Sequence, residues 1–154
     1  MKKILISQCF TGDCCCWNGG THLIPALREL AERGIAVPVC PEQLGGLPTP
    51  RAPSEILGER VVARDGTDVT ECFTVGAMKA MAIAWENNCC LAVTKARSPS
   101  CGCGQVYDGH FTGTLTNGDG ILVRLLKQAG IPVITEQDDW QKAVSSATGE
   151  DLRG

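Results

Sequence analysis

Ten cysteines in a chain of 154 residues are the first chemistry this sequence offers, and their spacing limits what that chemistry is. Cys14, Cys15 and Cys16 are consecutive, as are Cys89 and Cys90, and neighbours like these bridge each other only with strain. A disulfide framework is therefore a poor reading, and several of the thiols must be plain buried residues. Zinc sites favour tight cysteine pairs joined by histidine. Here His22 and His110 are the two histidines, and Cys101-Gly-Cys103 lacks a second pair. Thioredoxin-like redox chemistry needs C-x-x-C at a helix N-terminus, which is absent. A cysteine hydrolase needs a histidine beside its thiol. His110 is near Cys101 in sequence, but no acyl-transfer motif accompanies it. Thiolates without histidine suit iron–sulfur ligation better, because cysteine holds such clusters. Zinc binding and a bland buried role stay open on chemistry alone.

The elements that position these thiols follow from periodicity. "KKILIS" (2–7) is a short apolar run that reads as a buried strand. "THLIPALRELAERG" (21–34) has helical spacing, with Leu23, Leu27, Leu30 and Ala31 on one face, Thr21 as N-cap and Gly34 as stop. "IAVPVC" (35–40) reads as a second strand. The stretch 41–58 is too rich in proline and glycine for a regular element through most of its length. "ERVVARDG" (59–66) holds a short strand ended by an Asp-Gly turn, and 69–88 is strongly helical. "CCLAVTK" (89–95) is a further buried strand, a long loop follows, 119–130 is a helix and 131–136 the last strand. Residues 137–154 read as a short amphipathic helix and a frayed tail.

Strands alternating with helices predict an α/β fold: one domain over 1–154 with its core in 3–136, a mostly parallel open sheet flanked by helices in a Rossmann-like three-layer arrangement. Ligands of such sheets bind beyond the carboxyl ends of the strands. Cys9 lies two residues past the first strand, Cys40 closes the second, and Cys101 lies six past the strand at 89–95. Those loops converge, so three thiols distant in sequence are expected to meet, and three ligands rather than four would leave one iron of a cluster open. "CFTG", "CPE" and "SPSCG" each set the cysteine near Gly or Pro, in backbones able to aim amide N–H groups at sulfur. Cys72, Cys89 and Cys90 lie elsewhere and read as structural.

The formal net charge of −3 offers no basic stripe, which argues against duplex nucleic acid as a partner. No run of 18 apolar residues exists, so no membrane span is expected. "MKKILISQCF" turns polar at Ser7-Gln8, too early for a signal peptide. A cytoplasmic protein is the expectation, and a reducing compartment again disfavours disulfides.

"CFTG" (9–12), "VPVCPEQLGGLPTPRAP" (37–53), "RVVARDGTDVTECFTVGA" (60–77), "KARSPSCGCGQVYDGHFTG" (95–113) and "GDGILVRLLKQAGIPVITE" (118–136) together resemble one bacterial family, long catalogued as a domain of unknown function, that includes the iron–sulfur thiouracil desulfidases. The resemblance implies a [4Fe–4S] cluster on Cys9, Cys40 and Cys101, the same three residues picked from topology. It places the family's acidic group on Glu42 and its serine on Ser98, with Ser100 competing for that role. It implies a non-redox desulfuration of a thiolated base or nucleoside: an open iron acts as a Lewis acid on the thiocarbonyl, water adds, and uracil and sulfide result. Glu42 would move protons to and from water or the ring nitrogen once burial raises its pKa, and Ser98 or Ser100 would relay a proton or bind substrate. Arg51 and Arg97 are candidates for orienting a loop or substrate, though exposure to solvent is the simpler expectation for both. "CWNG" (16–19) departs from the family's Arg-Tyr-Asp-Gly-like run. Cys14 to Cys16, or Cys103, could supply a fourth thiolate, which would favour a redox or sensory module. A zinc or metal-free binding protein is the remaining alternative.

Overall fold

The computed structural model describes residues 2–152; Met1, Arg153 and Gly154, the ends of the expected domain and tail, lie outside the described residues. The chain runs β1 (Lys3–Ser7), a 3-10 turn (Gln8–Thr11), α1 (Pro25–Glu32), β2 (Ala36–Val39), α2 (Pro41–Leu44), β3 (Ser54–Leu57), β4 (Arg60–Ala63), α3 (Thr70–Glu86), β5 (Cys89–Thr94), β6 (Gln105–Tyr107), β7 (Leu115–Asn117), α4 (Ile121–Gln128), β8 (Val133–Thr135) and α5 (Trp140–Thr148).

Four strands form a parallel sheet in the order β2-β1-β5-β8. Alternation in β1 divides the core between two faces. Ile4 and Ile6 pack with Leu27 and Leu30 of α1 and Trp140 and Val144 of α5. Leu5 packs on the other face with Ala77, Ala80 and Ala84 of α3 and Leu122 and Leu126 of α4. This is the expected three-layer α/β architecture. The chain leaves β1 toward β2 on one side and returns to β5 on the other, so the loops after β1 and β5 diverge at a topological switch point, where open α/β sheets make their crevice.

Two features depart from the sequence reading. Helix α1 begins at Pro25 rather than near Thr21. Proline is preorganised for the first helical position, and residues 21–24 are instead tied to the loop after β1: Thr21 Oγ1 and the His22 amide both donate to the Cys9 carbonyl, and the Ile24 amide donates to Phe10 O. Leu23 therefore leaves the predicted apolar face and is 44% exposed. The two long loops also carry regular structure. β3 pairs with β4 and β6 with β7 as separate antiparallel hairpins, and Ile56, Val61, Val69, Phe73 and Val106 form a small third core beneath them.

α2 lies against α3 with no room to spare. A Cβ built on Gly45 would stand 1.9 Å from the Cys72 carbonyl oxygen, and one on Gly76 would stand 1.8 Å from the Pro41 carbonyl oxygen. Glycine at both positions lets the backbones touch. Gly120 does the same for the loop after β5, since a Cβ there would fall 2.5 Å from Ser100 O. The amides of Gly120, Ile121 and Leu122 donate to Gly102, Pro99 and Ser100 carbonyls, so the first turn of α4 holds that loop rigid.

Candidate active site

A cavity of about 550 Å³ opens at the carboxyl ends of β1, β2 and β5. Cys9 from the 3-10 turn, Cys40 at the N-cap of α2 and Cys101 from the loop after β5 all line it. So do Glu42, Ser98 and Ser100. These six residues, singled out from sequence, thus border one space. Of the consecutive cysteines, Cys15 and Cys16 line the cavity while Cys14 is exposed. Cys103 is not on this lining; its thiol donates to the Val133 carbonyl. Cys89 is buried beneath α3, and Cys90 donates to the Lys3 carbonyl, as structural residues do. All ten thiols are free.

The thiols crowd one another. Burial pushes Cys101 up to about 11, against the neighbouring Ser7 and Ser100 hydroxyls, which lower it. The hydrogen bond with Cys40 lowers Cys15, but the bond with Cys9 and burial outweigh it and carry Cys15 up to about 12. Cys40 is raised by its hydrogen bond with Cys15 and by burial, against the Gln43 amide.

The donor set fits an iron–sulfur cluster better than a single ion. Cys9, Cys15, Cys16, Cys40 and Cys101 on the lining of one cavity give a sulfur-rich donor set, which suits a cluster held by cysteine. Ligating thiols must lose their protons, and raised pKa values make that loss harder as pH falls. Anaerobic reconstitution should therefore load more iron at about pH 8 than at about pH 6. A flat or inverted profile of iron content would contradict thiol ligation.

Beside the sulfurs lies a directed chain of hydroxyls. Ser98 Oγ accepts from the amides of Ser100 at 3.2 Å and Cys101 at 3.1 Å. That uses both lone pairs of the oxygen, so its proton points to Ser100 Oγ at 3.1 Å. Ser100 in turn donates to Glu42 Oε2 at 3.0 Å, a stronger acceptor than the Cys101 sulfur at 3.7 Å. Glu42 Oε1 accepts from Arg51 Nε at 3.0 Å, and the two side chains are 13% and 6% exposed. The arrangement is a polarised relay, Ser98 to Ser100 to Glu42, ending on a carboxylate paired with a guanidinium.

Arg51 corrects the expectation of a solvated side chain. It also donates to Thr49 Oγ1 and Pro48 O, and to Cys15 O at 2.9 Å, tying the α2 segment to the cysteine loop. Removing one partner of a buried pair such as Arg51–Glu42 costs about 3–5 kcal/mol. Sequence reasoning also left Cys15 undistinguished from Cys14 and Cys16, because a loop has no period to say which side chain turns inward. Arg97, by contrast, lines the cavity half-buried, at φ 66°.

The sequence profile of the 2-thiouracil desulfurase family matches residues 4–138. The chain is 41% identical over 145 residues to the uncharacterised protein YbbK of Bacillus subtilis (strain 168), covering 88% of this chain and 96% of that one. Among solved structures it is similar to the [4Fe-4S]-dependent thiouracil desulfidase TudS, with a TM-score of 0.87 and 37% identity over 95% of this chain and 98% of the other.

Proposed function

The chain belongs to the 2-thiouracil desulfurase family, and we propose that it is a [4Fe–4S]-dependent desulfidase that converts thiolated pyrimidines such as 2- or 4-thiouracil to uracil and sulfide. The carrying observation is that three loop thiols and the Ser98–Ser100–Glu42 relay border one cavity. Cys9, Cys40 and Cys101 would hold the cluster. When bound, it supplies a Lewis-acidic iron that polarises the C=S bond.

The chain's own residues handle water and protons. Glu42, paired with Arg51 at 3.0 Å, takes a proton from the water that adds to the thiocarbonyl carbon. The same group returns it to the ring nitrogen or the departing sulfur. Ser100 steadies the carboxylate and Ser98 fixes the direction of the Ser100 proton. One water oxygen replaces one sulfur, and no electrons are exchanged. Among the described residues no helix is long and apolar enough to cross a membrane. The free thiols support a reducing, cytoplasmic setting.

Anaerobically purified protein should be brown with about four irons and four sulfides per chain, and should bleach the thiocarbonyl absorbance of 2- or 4-thiouracil while sulfide appears. An intact cluster with no loss of either base would refute the activity. Cys9→Ser, Cys40→Ser and Cys101→Ser should each lose iron and activity together, whereas Cys16→Ser and Cys103→Ser should keep both. Cys15, the buried thiol beside Cys9 and Cys40, tests the ligand set most sharply. Cys15→Ser should retain the iron; loss there, with retention in Cys40→Ser, would reassign the third ligand.

A further inference from the structure

Phe111 lines the same cavity on the turn between β6 and β7, and its setting is costly to build. Its φ is 57°, in the left-handed region, where a bulky L-residue is an outlier that persists only when its surroundings enforce it. Gly109 and Gly113 on either side also have positive φ, so a glycine at 111 would sit in this turn without strain. The turn is clamped by one carboxylate oxygen: Glu55 Oε1 accepts from the Gly109 amide at 3.0 Å and the Phe111 amide at 3.2 Å. The exposed Arg64 stands over one face of the ring, its Cζ 5.6 Å from the centroid, a cation–π contact. Core packing does not account for the side chain. Phe111 is half-buried and belongs to none of the three apolar clusters among the described residues.

We propose that Phe111 is the stacking surface for the planar ring of the substrate, with Glu55 holding the backbone of its turn and Arg64 over one face of its ring as positioning residues. This rests on the desulfidase reading. A flat aromatic wall holds any pyrimidine by its π-face and presents its exocyclic sulfur at a fixed height. It also selects: a ring thioamide gains the contact and an open-chain thioamide does not. Phe111 is thereby a determinant of which thiocarbonyl compounds are bound, separate from the groups that act on the C–S bond.

The test uses cluster-loaded wild type, Phe111→Gly, Phe111→Leu and Phe111→Tyr. Loss of one stacking contact weakens binding by roughly tenfold to a hundredfold. Phe111→Gly and Phe111→Leu should raise KM for 2-thiouracil by that factor, with kcat changed far less. Both should weaken equilibrium binding of uracil equally and narrow the preference for 2-thiouracil over thioacetamide. Phe111→Tyr should behave as wild type. Phe111→Gly should keep its iron and melt no lower than wild type, because it relieves the backbone. An unchanged KM in Phe111→Gly overturns the proposal. So does a higher KM that comes only with lost iron or a lowered Tm in both variants, since the ring would then be holding the fold. If wild type itself leaves thiouracil intact, the desulfidase reading has failed, a distinct result.

Discussion

Glu42→Gln is expected to lower kcat for thiouracil desulfuration by about 10²–10⁴-fold, the usual contribution of a positioned general acid–base group, while iron content stays at the wild-type level. The substitution keeps size and shape but removes the charge that Arg51 and Ser100 converge on. Both oxygens of Glu42 are accepting, from Arg51 Nε and from Ser100 Oγ. Glutamine has one acceptor oxygen, so one of those donors must face an N–H₂ group. The relay then ends on a group that takes no proton, and Arg51 is left without its counter-charge. Steady-state kinetics on anaerobic, iron-quantified protein decides the matter. An unchanged kcat would remove Glu42 from the chemistry. A fall in kcat that merely tracks lost iron would make it a structural partner of Arg51.

Gly76→Ala should strip the protein of iron and activity together, although the residue touches neither. Two effects of opposite sign compete. Alanine improves an exposed helix interior by up to about 1 kcal/mol over glycine, so propensity alone predicts a more stable α3. Packing opposes it, because the added Cβ would stand 1.8 Å from Pro41 O and 2.9 Å from Gly45 N. Those are backbone atoms that no side-chain rotation relieves. Overpacking costs about 1–3 kcal/mol or more, so packing wins, and α2 must lift away from α3. Cys40 is the N-cap of α2 and Glu42 lies in its first turn, so a thiol and the carboxylate leave the cavity as one body. A lowered Tm, low iron and low turnover are the expected triad. Wild-type iron and a raised Tm would show that the two backbones are not in contact. Ala82→Ser, on the exposed side of the same helix, is the control that should change none of the three.

Much of this architecture is legible in the order of residues. The apolar runs ending at Ser7, Cys40 and Lys95, with helical stretches between them, require a parallel sheet, and a parallel sheet gathers its C-terminal loops. That logic brings Cys9, Cys40 and Cys101 to a common rim without any coordinate. What escapes is whatever depends on contacts between loops. Arg51 is an arginine in a proline-rich stretch until Glu42 and the Cys15 carbonyl are placed around it. The start of α1 is displaced because the Cys9 and Phe10 carbonyls capture the residues before Pro25. The hairpin of β6 and β7 hides in a segment dominated by turn signals, since strands of three residues are too short to show a period. Gly45 and Gly76 look like a turn residue and a weak helix position until the two backbones are seen to meet.

The two hairpins share no ladder with the central sheet, and that separation divides the labour of the protein. Cys9, Cys40, Cys101 and Glu42 are anchored to the layered frame, while Glu55, Arg64, Tyr107 and Phe111 belong to the hairpins or the turns at their ends. Natural variation or laboratory grafting confined to residues 54–64 and 105–117 can therefore diversify which compounds are admitted, generation by generation, and the inherited metallocentre passes through such divergence intact.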